Sequence, residues 1–392
     1  MNPLPTPTNF VSTGQPASAG LSYQAPISIG AKAQMTKRER VLRTIRFQET
    51  DRIPVYDLLQ NDAVIEHYSG EIPTPENGLR LKAITIAKTM DMTRSIGGPN
   101  EPGEVLAENG IRTRRERWTS WIIERPWRDM PGLVEWIKGE IARVEAQVFD
   151  RVYAEELHKR VRDWLELNAA ADPTSRGDPT VLIIESGAGL TQMYHVTDIG
   201  MFAFLMADYP DLVEEWLDVR NRAELRRVAA IADPELFPIV LTYDDIAYKT
   251  APIFSPKWLR RCWFPRLKKL NDAWHERDTI CLFHSDGNLM PVLDDLVAAG
   301  IDGLNPLEVL AGMSVGKVRQ KYPKLFLTGG IDVSQLLSFG APEEVRAACR
   351  QAIAEADGRG YFLGSTTELH WDVKLENAIA MFETAWETEK VG

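Results

Sequence analysis

The 392-residue chain has little cysteine, with only three residues, Cys262, Cys281 and Cys349. None is spaced as a CxxC pair, which argues against a disulfide scaffold or a thiolate zinc knuckle. The composition suits a reducing compartment, and a cytoplasmic location is expected. No apolar run approaches membrane-spanning length. The first residues lack a basic region followed by an apolar one, so no secretory signal is expected. Basic excess is missing too: the formal net charge is −11. That disfavours a phosphate-backbone footprint, so neither nucleic acid nor a membrane is an expected partner. No GxGxxG follows the first strand-like run, which removes the main signal for a Rossmann fold.

What is present is a large apolar fraction, 44%, enough to fill a sizeable core. Residues 1–33 are rich in Pro, Ser, Thr and Gly and are expected to form a disordered or extended arm. Packed structure is expected over 34–392 as one domain. Thr36-Lys-Arg-Glu39 has capping-box form and opens an amphipathic helix to Phe47. Arg52 to Asp57 reads as a first strand and Asp91 to Arg94 as a second. Asn109-Gly110 is a hairpin signal, and with Trp118 to Ile123 it predicts an antiparallel insertion over about 104–127.

Strand-like runs then recur, each ending in polar groups. Val181 to Gly187 carries Glu185, and Ile239 to Asp245 ends in Asp244 and Asp245. Ile280 to His284 leads into Ser285, Asp286 and Gly287. Gly303 to Glu308, Leu325 to Asp332 and Tyr361 to Glu368 follow. Helical segments separate them. Alternating β and α units, about eight in all, predict an α/β fold: a (β/α)8 TIM barrel with an antiparallel hairpin insertion. In such a barrel the strand ends converge on one mouth, where ligands bind.

Acids beside a histidine are the raw material for acid–base chemistry or an O/N metal site. His284, Glu308 and Asp244 are the expected catalytic groups. His284, Asp286 and Glu308 are the expected metal ligands. Asp57, Glu185, Tyr194, His195, Tyr248, Gly330, Asp332, Thr366 and His370 are the expected substrate contacts. Asp244 and Asp245 are adjacent, so only one of them should face the mouth. Bland alternatives stand beside these roles: Asp286 as a helix cap, Gly329-Gly330 as a tight turn, and His284 as a core-edge histidine on a carbonyl.

Several stretches together resemble the uroporphyrinogen decarboxylase superfamily. They are Glu39-Arg-Val-Leu-Arg-Thr-Ile-Arg46 with Asp51-Arg-Ile-Pro-Val55, Phe283-His-Ser-Asp-Gly-Asn288, Asp294 to Pro306, Gly329-Gly-Ile-Asp332, and Leu369 to Asn377. True decarboxylases of that superfamily carry an arginine-rich loop for the porphyrinogen carboxylates. The matching stretch here, Tyr56 to Asp62, has no arginine. The resemblance therefore implies the corrinoid-linked methyltransferase branch. Its thiol-acting members carry a His-x-Cys pair and a later cysteine on zinc, where this chain has Asp286 and then Ser365 and Thr366. A methyltransferase or O-demethylase component is expected, acting on a small methylated donor, with zinc held by N and O ligands. The sequence has no Asp-x-His-x-x-Gly corrinoid motif, so the corrinoid (cobalamin-type) cofactor is expected on a separate protein. The resemblance also implies a homodimer. Two other readings remain at this stage: a decarboxylase of a small carboxylate, and a non-catalytic anion-binding barrel.

Overall fold

The computed structural model describes residues 35–387 except Ser95 and residues 173–176. The arm expected over 1–33 lies outside the described residues. Helix Lys37–Ile45 begins at Thr36, whose hydroxyl accepts from the Glu39 N–H at 3.0 Å. That is half of the capping arrangement read from the sequence.

Parallel strands follow in a ring. Ile184–Gly187, Ile239–Tyr243, Ile280–His284, Gly303–Asn305, Phe326–Thr328 and Tyr361–Phe362 pair in chain order as one six-stranded sheet. Met92–Thr93 pairs with Val181–Leu182, which continues past Ile183 into Ile184–Gly187. The first strand is reduced to single parallel bridges, Tyr56 to Met92 on one side and Val55 to Leu363 on the other. Backbone bonds from Tyr56 N to the Leu363 carbonyl (3.0 Å) and from Leu363 N to the Pro54 carbonyl (2.9 Å) join the two ends of the sequence. The fold is a (β/α)8 barrel whose early strands are far shorter than the expected runs 52–57 and 91–94.

Strand alternation fills the barrel in layers. Tyr56, Met92, Ile183, Leu241, Leu282, Phe326 and Phe362 form one buried cluster with Val41 and Ile45, so the first helix plugs the amino end of the barrel. Two residues further along, the same parity gives Arg94, Glu185, Tyr243, His284 and Thr328 on five of these strands, and Leu58 and Gly364 on the first and last. The layer above the oily plug is thus polar, at the carboxyl ends of the strands. Outward-facing residues such as Val240, Phe283, Leu304 and Leu327 join the larger core under the helices.

Gly103–Leu106, Arg112–Arg115 and Ser120–Glu124 form a separate three-stranded antiparallel sheet. Trp118 and Trp127 are buried beneath it, and the Trp118 indole N–H bonds Asp62 at 2.9 Å. Trp121 is 59% exposed, so the three tryptophans do not share one buried face. Among the described residues no helix is long and apolar enough to cross a membrane.

Candidate active site

His284 ends its strand inside the barrel with only 6% of its surface exposed. The neighbouring strands supply its support. Asn305 Nδ2 donates to Thr328 Oγ1 at 2.6 Å, which leaves Asn305 Oδ1 as an acceptor for His284 Nδ1 at 2.6 Å. In this amide orientation the imidazole carries its proton on Nδ1 and turns Nε2 toward Asp245. Burial, and then the nearby Arg94 cation, pull the His284 pKa down to about 4 against the opposing Asp245 charge and Asn305 bond. The ring is neutral at neutral pH, the form that binds a metal.

Two carboxylates meet that ring. Asp245 Oδ1 lies 3.9 Å from His284 Nε2 and accepts from the Asp286 N–H at 3.1 Å. One ligand atom each from Asp245, His284 and Asp286 falls within 4.8 Å of the others. Burial and the like charges of Asp245 and Glu308 push the Asp286 carboxyl up to about 7. The turn that brings them together requires glycine. Gly287 has φ +89°, and a Cβ there would lie 2.6 Å from the Ala247 carbonyl carbon. Glu308 closes the turn from the other side, accepting from the Gly287 N–H at 2.7 Å.

Arg94 is the cation of this chamber. Its Nη1 stands 3.7 Å from Glu185 Oε1, and it also faces Tyr56, Glu368 and Asp286. Among the described residues its Nε and the Tyr56 hydroxyl are both buried without a hydrogen-bond partner. Among the described residues the acids Asp245, Asp286, Glu308, Glu185 and Glu368 outnumber the Arg94 guanidinium and the Lys82 ammonium that acts on Glu368, so the chamber favours a cationic guest.

The remaining expected site residues have more local partners. Asp244 is fully buried, accepting from Thr191 N at 2.7 Å and from the Trp263 indole at 2.8 Å. It anchors helix Leu190–Thr197 from behind, and Asp245 is the member of the pair that faces the histidine. Asp57 accepts from Ser365 N (2.8 Å), Ser365 Oγ (2.9 Å) and Leu58 N (2.9 Å), stitching the first strand to the last. The Tyr194 hydroxyl donates to the Asp245 carbonyl at 2.9 Å, whereas His195 is exposed. Tyr248 is 68% exposed on the loop above Gly287. Asp332 caps the turn Val333–Leu337, accepting from Gln335 N at 2.7 Å, and Thr366 Oγ1 accepts from Val333 N at 3.2 Å. Gly330 has φ +99° in the turn that meets the last strand. His370 Nδ1 accepts from Asp372 N at 3.1 Å. Arg94 and Asn305 were not singled out from the sequence as functional. Strand parity counted from Met92 and Gly303 points to both.

A barrel with an acid–histidine cluster at the carboxyl ends of its strands is an enzyme architecture. The family model described as Uroporphyrinogen decarboxylase (URO-D) matches residues 133–388, and the chain belongs to that family of enzymes. The match includes Asp245, His284, Asp286 and Glu308. Among solved structures, a methyltransferase from Methanosarcina mazei is similar at 17% identity with a TM-score of 0.63. The likeness covers 90% of this chain and 98% of that one, and it reflects a common fold. A B12-independent methionine synthase from a Shewanella species, in complex with selenomethionine, aligns at 10% identity with a TM-score of 0.40. That alignment covers 86% of this chain and 97% of the synthase. No curated protein matches the sequence.

Proposed function

We propose that this chain is a methyltransferase or O-demethylase component that passes a methyl group from a small methylated donor to a corrinoid carried by a separate protein. The observation that carries this reading is the Asp245, His284 and Asp286 cluster, with the histidine tautomer set by Asn305. Its chemistry fits a divalent cation such as zinc: one neutral imidazole nitrogen and two crowded carboxylates whose repulsion a cation relieves. Asp245 takes the place of Glu308 in this ligand set, because its carboxylate groups with His284 and Asp286 while that of Glu308 turns to the Gly287 N–H. When bound, the cation supplies Lewis acidity to the leaving heteroatom of the donor.

The protein's own groups then have separable tasks. Asn305 and Thr328 hold the imidazole. Glu308 holds the turn that aims Asp286. Arg94 and the Tyr56 hydroxyl offer donors on the opposite wall. The acidic chamber disfavours a polycarboxylate substrate, which argues against tetrapyrrole decarboxylation, as does the absence of arginine over residues 56–62. A second reading, decarboxylation of an acid smaller than a porphyrinogen, draws on the decarboxylase chemistry named in the family description.

One experiment separates them. The purified protein is assayed for metal content, for methylation of a Co(I) corrinoid protein across methyl ethers, amines and sulfides, and for carbon dioxide release from candidate acids. Bound zinc with corrinoid methylation, both lost in His284→Ala, is the expected outcome. Carbon dioxide release without metal would overturn it in favour of the decarboxylase.

A further inference from the structure

Beside the mouth lies a second cavity of about 500 Å3. It is bounded by helix Met130–Glu145, helix Pro210–Ile231 and the ends of strands Ile184–Gly187 and Ile239–Tyr243. Arg143, Arg220 and Arg227 all line it. Two of these are engaged. Arg143 forks onto Glu140 at 2.8 and 2.7 Å. Arg227 forks onto Glu224 at 2.8 and 2.6 Å and also reaches the Glu185 carbonyl at 2.7 Å.

Arg220 is different. Among the described residues it has no ion pair or hydrogen-bond partner, and its Nε is buried and unsatisfied. The acid that acts on it most strongly, Asp244, already accepts from Thr191 N and the Trp263 indole. The acids lining the cavity are also taken, Glu224 by Arg227 and Ser186, and Glu185 by Arg94 at 3.7 Å. Burial pulls the Arg220 pKa below the ordinary guanidinium value. The main chain holds the group in place. Gly189 has φ +101°, and a Cβ there would come within 2.9 Å of Arg220 Nε. An unpaired guanidinium whose Nε is shut off from water is costly to the fold, and its planar fork, turned to the cavity, matches carboxylate and phosphate oxygens.

We propose that this cavity is a binding site for a small oxyanion, carboxylate or phosphate, anchored by Arg220 with Arg143 at its side. It is separate from the cation cluster, although Tyr243 lines it and sits in register with His284 on the next strand. The proposal does not depend on methyl transfer.

The test is thermal melting and titration calorimetry of the full chain with inorganic phosphate and, separately, succinate, at ionic strength fixed with chloride. Saturating oxyanion should raise the wild-type Tm by on the order of 3 °C. Arg220→Met should weaken binding at least tenfold, while melting no lower than wild type without ligand and keeping the same metal content. Arg143→Gln, at a half-exposed position, should weaken binding by a smaller factor, and it decides the matter if Arg220→Met does not fold. Binding of phosphate alone or succinate alone assigns the oxyanion class. No response to either anion, or an equal response in wild type and both variants, would overturn the proposal.

Discussion

The two ends of the barrel bury the same kinds of charged residue and treat them in opposite ways. At the amino end Asp91 is fully buried between Arg40, at 2.7 Å, and Arg52, whose two nitrogens bind it at 2.8 Å each. Arg40 also pairs with Asp51 at 2.6 Å, and the Val55 N–H adds a bond to Asp91 at 2.8 Å. Burial alone would raise the Asp91 carboxyl, but Arg52 and Arg40 hold it well below the usual carboxylate range. At the carboxyl end Asp286 sits with Asp245 and Glu308, and burial plus those like charges push it up to about 7. Burial is common to both ends. The number of opposite charges differs, and it decides which end holds the fold together and which is prepared for a guest.

The largest expected effect breaks the matched end. Asp91→Asn leaves two buried guanidiniums short of a carboxylate and should cost about 3–5 kcal/mol of unfolding free energy. Urea denaturation at pH 7 measures it. Asp245→Asn at the mouth should change stability by less than about 1 kcal/mol under the same conditions. Equal losses at the two ends would remove the contrast.

Next in size is a pH effect at the mouth end. Burial pushes the Asp57 carboxyl up to about 6, despite its bonds to Ser365 and Leu58. A folded pKa above the ordinary value means the stability is fully present below about pH 4 and is lost as pH rises through 6. The loss is on the order of 3 kcal/mol. The Asp91 cluster has the opposite slope, with its stabilisation present above about pH 4 and lost at lower pH. Asp57→Asn should reduce the difference in unfolding free energy between pH 4 and pH 7 without abolishing it, because the Asp244 and Asp286 carboxyls are also raised, to about 6 and about 7. A variant that keeps the wild-type slope would show that Asp57 is not its source.

These contrasts also show what could be read without coordinates. The later strands were legible because apolar runs such as Ile280 to His284 end abruptly in polar groups. The early ones were legible in place, at 52–57 and 91–94, but not in length: only residues 55–56 and Met92–Thr93 join the ring, by single bridges or two residues. Arg94 ends the second of those runs but carries no expected role there, because no periodicity marks which side of so short a strand faces the mouth. The Asp244–Asp245 alternation was readable as far as one acid facing the mouth, but the expected catalytic acid is Asp244, whereas Asp245 meets His284 and Asp244 is held by Thr191 and Trp263. Glu308 looked like a strand-end ligand, but Pro306 and Leu307 carry it beyond the strand, and its carboxylate returns to the Gly287 backbone. Nothing in the local sequence announces a contact spanning 21 residues.

The smallest predicted effect sharpens the comparison most, because it leaves every charge in place. Asn305 touches neither acid of the cluster; it accepts from His284 Nδ1 and passes the chain of bonds to Thr328. Asn305→Leu keeps roughly the same volume but removes that acceptor, so the imidazole can turn or change tautomer. Zinc affinity, read by competition with a chromogenic chelator, should fall about 10–100-fold, equivalent to about 1.4–2.7 kcal/mol. Thr328→Val removes only the outer link and should cost less. If Asn305→Leu binds zinc as tightly as wild type, the orientation of His284 does not control the site. The crowding of Asp245 and Asp286 would then have to account for cation binding by itself.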